Sequence, residues 1–214
     1  MSELGAGLPH GASASTPAAA ARVAAQRTAQ PNGWWGMVLF LGAEVTLFGT
    51  LIGSYFYLDF GSPRWPPAGL PDPKITIPSI ATGVLVALSP LLWGAARSAK
   101  RGVRGRAALL IAIAMVVQMA YLGLELKLFR DDLLQFLPNG HSGTAYGSIY
   151  YTLLAADHAH VLFGILLDAL LIYKLLVRGL NNYWLIGVRG LALYWYVVNF
   201  LTAAVLVTTL SPSI

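Results

Sequence analysis

The chain has 214 residues, of which 57% are hydrophobic and only 11% are charged, and its mean hydropathy is +0.64. This composition excludes an ordinary soluble domain and predicts an integral membrane protein, so the net charge of +5 bears on membrane orientation rather than on nucleic-acid binding. The chain contains no cysteine, which excludes disulfides, thiolate-held iron–sulfur clusters, thiolate-type binuclear copper sites and thiol nucleophiles.

Residues 1–33 are rich in alanine, glycine, serine and proline, and their only basic side chains are Arg22 and Arg27. Too few large apolar residues are present for a packed core, which predicts a flexible cytoplasmic N-terminal tail before a transmembrane domain at 34–214. The tail lacks the apolar core of a signal peptide, so we expect the first membrane helix to act as the insertion signal.

The first predicted span, about residues 34–58, begins and ends with aromatic clusters, as is typical of the two membrane interfaces. Glu44 lies inside this span, with no basic residue near it on the same helix. Such a carboxyl group is expected either to bond across a helix interface or to exchange protons with water. About 200° round the helix, a face of small residues predicts close packing of another helix. Its members are Gly42, Thr46, Gly49 and Gly53.

The second and third predicted spans are about residues 75–96 and 107–126. Pro90 is expected to kink the second span, because it removes a backbone donor and crowds the preceding turn. Glu125 lies near the end of the third span, where we expect it to be solvated. The connection between these spans contains five basic residues, which are Arg97, Lys100, Arg101, Arg104 and Arg106.

The fourth span, about residues 146–174, contains two aspartates and two histidines. A charged group at the bilayer centre costs about 3 kcal/mol, so these side chains are expected to face protein or water. Asp157, His160, Gly164 and Asp168 fall on one stripe less than about 90° wide. Asp157 and His160 are one turn apart, which favours either a hydrogen-bonded network that locks helices together or a proton-sharing pair. Asp168, nearer the span end, is expected to be solvated.

A metal or haem site is a further use for these histidines. His158, however, points about 200° away from His160, and the two remaining histidines, His10 and His141, fall in the tail and in a loop. A haem held by two histidines, or a copper held by three, would need donors from a second helix that the chain lacks. The sequence therefore predicts no metal, haem or other redox cofactor within this chain.

The fifth predicted span, about residues 191–210, contains Asn199 and completes an all-α transmembrane bundle. Ten of the 14 Lys and Arg residues then lie on the same side as the N-terminus. The positive-inside rule places the N-terminus inside the cell and the C-terminus outside. The other four basic residues are Arg64, Lys74, Lys127 and Arg130.

Five stretches resemble, in the same order, subunit III of the haem-copper respiratory oxidases. Residues Trp35–Val45, which include Glu44, are similar to the family's WGM.LF..SE signature, and His160–Gly164 is similar to its H-V-x-x-G motif. The resemblance covers about residues 34–210, with five spans as in the short bacterial forms. The other three matching stretches are Trp65–Pro67, Gly123–Glu125 and Tyr194–Trp195.

The resemblance implies a non-catalytic subunit of a terminal oxidase in the bacterial cytoplasmic membrane, where oxygen reduction is coupled to proton translocation. Such a subunit packs beside subunit I, which carries the haem and copper, in a complex that also includes subunit II. It also implies bound phospholipids in a cleft, with Glu44 near the cleft and supporting proton uptake. The chain departs from the family's pattern at four polar positions, which are Asp157, His158, Tyr196 and Asn199.

The sequence leaves two other hypotheses open. An accessory subunit of a nitric oxide reductase would belong to the same superfamily, and the metals of its partner would identify it. A small proton-coupled transporter or channel would place Glu44, Asp157 and Asp168 along a path, although only Pro90 suggests the broken helices that are typical of transporters.

Overall fold

The computed structural model describes residues 32–67, 76–136, 144–178 and 182–211, except for the side chains of residues 136 and 182–184. These ranges contain no strand and six helices: α1 (Asn32–Phe60), α2 (Thr76–Ala87), α3 (Ser89–Lys100), α4 (Arg104–Phe136), α5 (Ala145–Val177) and α6 (Asn182–Leu210). They include five spans long and apolar enough to cross a membrane, because α2 and α3 together form one span, Thr76–Lys100. The predicted all-α, five-span architecture is confirmed. The predicted tail lies outside the described residues except for its last two positions, which begin α1.

Two helices are longer than the apolar runs suggested. α4 continues to Phe136, so the charged residues Lys127 and Arg130 lie in its last turns and not in a loop. α6 already begins at Asn182, which places Arg189 within the helix and not in the preceding connection. Charged residues with good helix propensity end an apolar run without ending a helix, so these two helices continue past the predicted span boundaries at 126 and 191.

Four of the five spans pack around a common core. α4 and α6 each contact both α5 and the α2–α3 span, which gives a closed ring of neighbours. The core between them is apolar and fully buried at positions such as Leu85, Leu92, Ile111, Val161 and Trp195. Many large apolar side chains point outward instead, as expected when the surrounding solvent is lipid.

α1 lies on the outside of this ring. The backbone of α1 is further from the neighbouring helices than the backbones of those helices are from one another. Large side chains span the gap: Phe48 and Tyr55 are buried, and the ring of Phe40 stacks on that of Tyr194 with centroids 6.5 Å apart. Trp65, after the end of α1, packs edge-on against Tyr55 with centroids 5.4 Å apart. α1 is therefore held by side chains more than by close backbone contact.

The second span breaks at Leu88, between α2 and α3, which agrees with the kink predicted at Pro90. Pro90 has no N–H to donate to the carbonyl of Val86, and the Ser89 hydroxyl donates to that oxygen at 2.8 Å instead. Asn199 of α6 then donates from Nδ2 to Ser89 Oγ at 3.2 Å and to the Leu85 carbonyl at 3.3 Å. One buried amide from α6 thus bonds to a residue on each side of the break.

Candidate functional site

A carboxyl–imidazole pair joins α1 to α5 near the middle of both helices. His160 Nε2 and Glu44 Oε2 are 2.6 Å apart, and the two side chains are 17% and 18% exposed. The other ring nitrogen, Nδ1, lies 2.7 Å from the Ala156 carbonyl oxygen. Phe48 packs edge-on against the imidazole, with centroids 5.1 Å apart. The helix backbone, a ring and a carboxyl group together fix the orientation of His160.

This geometry determines how many protons the pair holds. A carbonyl oxygen only accepts, so Nδ1 must carry a hydrogen and donate it to Ala156. A hydrogen bond between Nε2 and Glu44 then requires one further proton, either on the carboxyl group or on the ring. In both forms the pair has no net charge. One form is a neutral carboxylic acid beside a neutral imidazole, and the other is a carboxylate beside an imidazolium, whose charges cancel. The pair can therefore carry a proton at membrane depth without an isolated charge.

The direct pair between Asp157 and His160, one of the two uses expected for these residues, does not form. Each side chain bonds to another helix instead, as the alternative of a network that joins helices requires. Asp157 accepts a hydrogen bond from Thr202 Oγ1 of α6 at 2.7 Å, whereas His160 turns toward Glu44 of α1. Both residues lie on one stripe of α5, as expected, but two different helices flank that stripe. Thr202 was not singled out from the sequence, because a threonine in an apolar span gives no signal of a carboxylate partner.

Asp168 is fully buried, which contradicts the expectation of a solvated side chain near the span end. Both of its carboxyl oxygens accept from Trp195 Nε1, at 3.2 Å and 3.1 Å. The adjacent Tyr194 donates its hydroxyl hydrogen to the His160 carbonyl at 2.7 Å. Two adjacent residues of α6, Tyr194 and Trp195, thus bond to α5 at two positions about two helical turns apart. α5 continues to Val177, so Asp168 lies well within the helix.

The glycines behave differently in α5 and α1. A Cβ atom added at Gly164 would lie 2.5 Å from Trp195 Cζ2, so the close approach of α5 and α6 requires a glycine there. On α1, no described atom outside the local backbone lies within 4 Å of a Cβ built at Gly42, Gly49 or Gly53. Thr46 is exposed and bonds only to its own helix. None of the described helices packs along that face, so close packing of another helix there stays a prediction.

The remaining candidates are buried away from α1. Glu125 is 8% exposed, so the expectation that it is solvated was wrong. The ring of His158 packs edge-on against Phe129 of α4, with centroids 5.5 Å apart, so it faces away from His160 as predicted. Asn199 donates hydrogen bonds at the break in the second span. Within the described ranges, no three side chains of the histidine, aspartate and glutamate types come together as metal ligands.

These features define a class: a multi-pass α-helical membrane protein whose polar side chains pair between helices at membrane depth. The sequence profile of the family described as Cytochrome c oxidase subunit III matches residues 22–210. The chain belongs to this family, which confirms the resemblance seen in its motifs. Family membership implies a place in the respiratory chain and a complex with other oxidase subunits, and metal centres are not carried by this subunit.

Relatives with related names share about a quarter to a third of their residues with the chain. Cytochrome c oxidase subunit 3 of Bacillus subtilis (strain 168) is 31% identical over 170 residues, which cover 78% of this chain and 80% of the relative. The protein of the same name from Bacillus sp. (strain PS3) is 28% identical over 172 residues, with the same coverage. The Cytochrome bo(3) ubiquinol oxidase subunit 3 of Pseudomonas aeruginosa is 24% identical over 168 residues, covering 78% of this chain and 79% of the relative.

Proposed function

We propose that this chain is a non-catalytic subunit of an oxygen-reducing oxidase in the bacterial cytoplasmic membrane. It stabilises the haem- and copper-bearing subunit I and supports proton uptake through the Glu44–His160 pair. The observation that carries the proposal is the 2.6 Å contact between these side chains, partly open at membrane depth. The relatives include both cytochrome c and ubiquinol oxidase subunits, so the electron donor is a property of the partner subunits.

The pair supports this role because it can hold one proton between its carboxyl and imidazole groups with no net charge. A proton gained from water by Glu44 or His160 is shared across the short contact, and its loss to a neighbouring acceptor restores the starting state. The hydrogen bond from Nδ1 to Ala156 holds the ring in place while the proton at Nε2 moves.

Glu44→Gln tests the proposal in the purified oxidase complex. An amide cannot exchange a carboxyl proton, so we expect proton uptake during turnover to slow at least threefold, with the haem spectrum unchanged. The measurement is stopped-flow proton uptake with a pH indicator, with loss of activity during prolonged turnover recorded in parallel. Thr46→Val is the matched control, because Thr46 is on the same helix and bonds only to the Gly42 carbonyl. Equal uptake by Glu44→Gln and the unchanged complex would contradict the proposal.

We also propose a bound phospholipid where α1, α3 and α6 meet. A cavity of about 410 Å³ there is lined by basic and aromatic side chains. Arg97 lies over the ring of Trp93 and Arg189 over that of Trp34, each with its guanidinium carbon 5.0 Å from the ring centroid. Guanidinium groups beside interfacial tryptophans suit a lipid phosphate.

Arg189→Gln tests the lipid site. We expect the complex purified in mild detergent to retain about one phospholipid fewer per copy, measured by quantitative lipid mass spectrometry. Lys127→Gln is the control, because Lys127 is an exposed cation on α4 outside this cavity. Identical lipid content in both variants would refute the assignment.

A further inference from the structure

A cavity of about 60 Å³ with both polar and apolar lining residues lies among α2, α4, α5 and α6, and none of its described lining residues belongs to α1. It extends from Tyr121 and Thr82 in the interior to Asp132 and Thr209 near the ends of α4 and α6. A volume of about 10–15 Å³ is enough for one water molecule, so this cavity has room for several. It is separate from the Glu44–His160 pair.

In the part of the chain that the structure describes, three carboxyl groups line this cavity, and two of them, Glu125 and Asp157, are deeply buried. Glu125 is 8% exposed, and its Oε1 atom has no hydrogen-bond partner among the described residues. Asp157 is 4% exposed and accepts from Thr202 Oγ1 at 2.7 Å. Neither lysine nor arginine occurs among the described residues of the lining. A buried oxygen without a protein partner is usually bonded to water, so Glu125 presents an acceptor to water in the cavity.

The other groups around the cavity add no fixed positive charge. His158 is the one histidine among the described lining residues, and its ring is packed edge-on against Phe129. Two ionised carboxylates in one buried site repel each other, and a single proton removes that repulsion. The titratable groups are Tyr121, Glu125 and Asp132 from α4 and Tyr150, Asp157 and His158 from α5, while α2 and α6 contribute Thr82, Thr202 and Thr209.

We propose that this cavity is a proton-binding site in which Glu125 and Asp157 hold one proton between them through water. The proton forms an O–H bond with one carboxyl oxygen, and that group donates through water to the other, which stays ionised. The two residues together then carry a single negative charge. Release breaks the O–H bond and returns the proton to water. The site shares no residue with the Glu44–His160 pair, so it does not depend on the function proposed for that pair.

Infrared spectroscopy of the intact complex tests the shared proton, because a protonated carboxyl group gives its own C=O stretching band. We expect a band from one carboxyl group in the difference between acidic and alkaline samples, with a shift in deuterated water. Glu125→Gln and Asp157→Asn should each shift this band, and the double variant should lose it. An unchanged band in the double variant would overturn the proposal. Independent bands, one lost with each single substitution, would also overturn it.

Glu44→Gln is the control that separates this site from the pair on α1, and it should leave the band in place. Haem content per protein checks that each variant assembles. A second measurement needs no variant: a high-resolution cryo-electron microscopy map of the unchanged complex should show water within hydrogen-bond distance of Glu125 Oε1. A cavity without ordered water around both carboxyl groups would refute the site even if the variants fail to assemble.

Discussion

The closest approach between α5 and α6 leaves no room for a methyl group at position 164. In Gly164→Ala the new Cβ would lie 2.5 Å from Trp195 Cζ2 and 2.9 Å from Tyr194 Cε1. Trp195 is fully buried and bonded to Asp168, so it cannot move aside freely. We expect the free energy of unfolding to fall by about 1–3 kcal/mol, the usual range for overpacking. A denaturant titration in mixed micelles measures the change.

Gly123→Ala is the matched control for this substitution. Gly123 is also within a membrane helix, and no described atom outside the local backbone lies within 4 Å of the added Cβ. Alanine has the higher helix propensity, so this variant should be as stable as the unchanged chain or slightly more stable. If both variants lose the same stability, the contact with Trp195 is not the cause.

For individual residues, the sequence identified the polar side chains but not their partners. The positions of Asp157, His160 and Asp168 on one stripe of α5 followed from helical geometry alone. Which neighbour each side chain meets depends on how α1 and α6 are arranged around α5, and no local pattern contains that arrangement. Glu44 and His160 are 116 positions apart, so neither residue indicates the other in the sequence.

Among the elements, the interrupted second span depends on a side chain from another helix. In Asn199→Leu, the Leu85 carbonyl and the Ser89 hydroxyl lose the donor that Asn199 supplies. Each lost hydrogen bond is worth about 0.5–1.5 kcal/mol, so we expect the loss of both to lower the unfolding free energy by about 1–3 kcal/mol. Amide hydrogen exchange should also become faster around Leu88. Thr50→Val on α1, which removes a hydroxyl bonded only to its own helix, should change neither quantity.

The helices themselves were largely predictable, because an apolar run of about 20 residues in a membrane has to be helical. The break in the second span also followed from Pro90. The ends of α4 and α6 did not follow, since hydropathy detects where the membrane stops and not where the helix stops. Lys127 and Arg130 leave the apolar region while remaining in α4.

For the whole molecule, orientation in the membrane is still a prediction from the distribution of positive charge. The chain has no cysteine, so single cysteines placed at Ser15 and Ser213 report the two termini without background. We expect a membrane-impermeant maleimide to label Ser213→Cys at least ten times more strongly than Ser15→Cys in intact cells. Equal labelling after permeabilisation is the control. The reverse pattern would place the N-terminus outside.

The gap between α1 and the ring of the other helices has a consequence for how this sequence has diverged. Side chains fill that gap, so a loss of volume on one side has to be matched by a gain on the other. In an alignment of relatives, position 40 should therefore covary in size with position 194, which it faces. Such paired changes would show that the distance between α1 and the ring of helices is maintained among relatives, whatever the catalytic properties of their complexes.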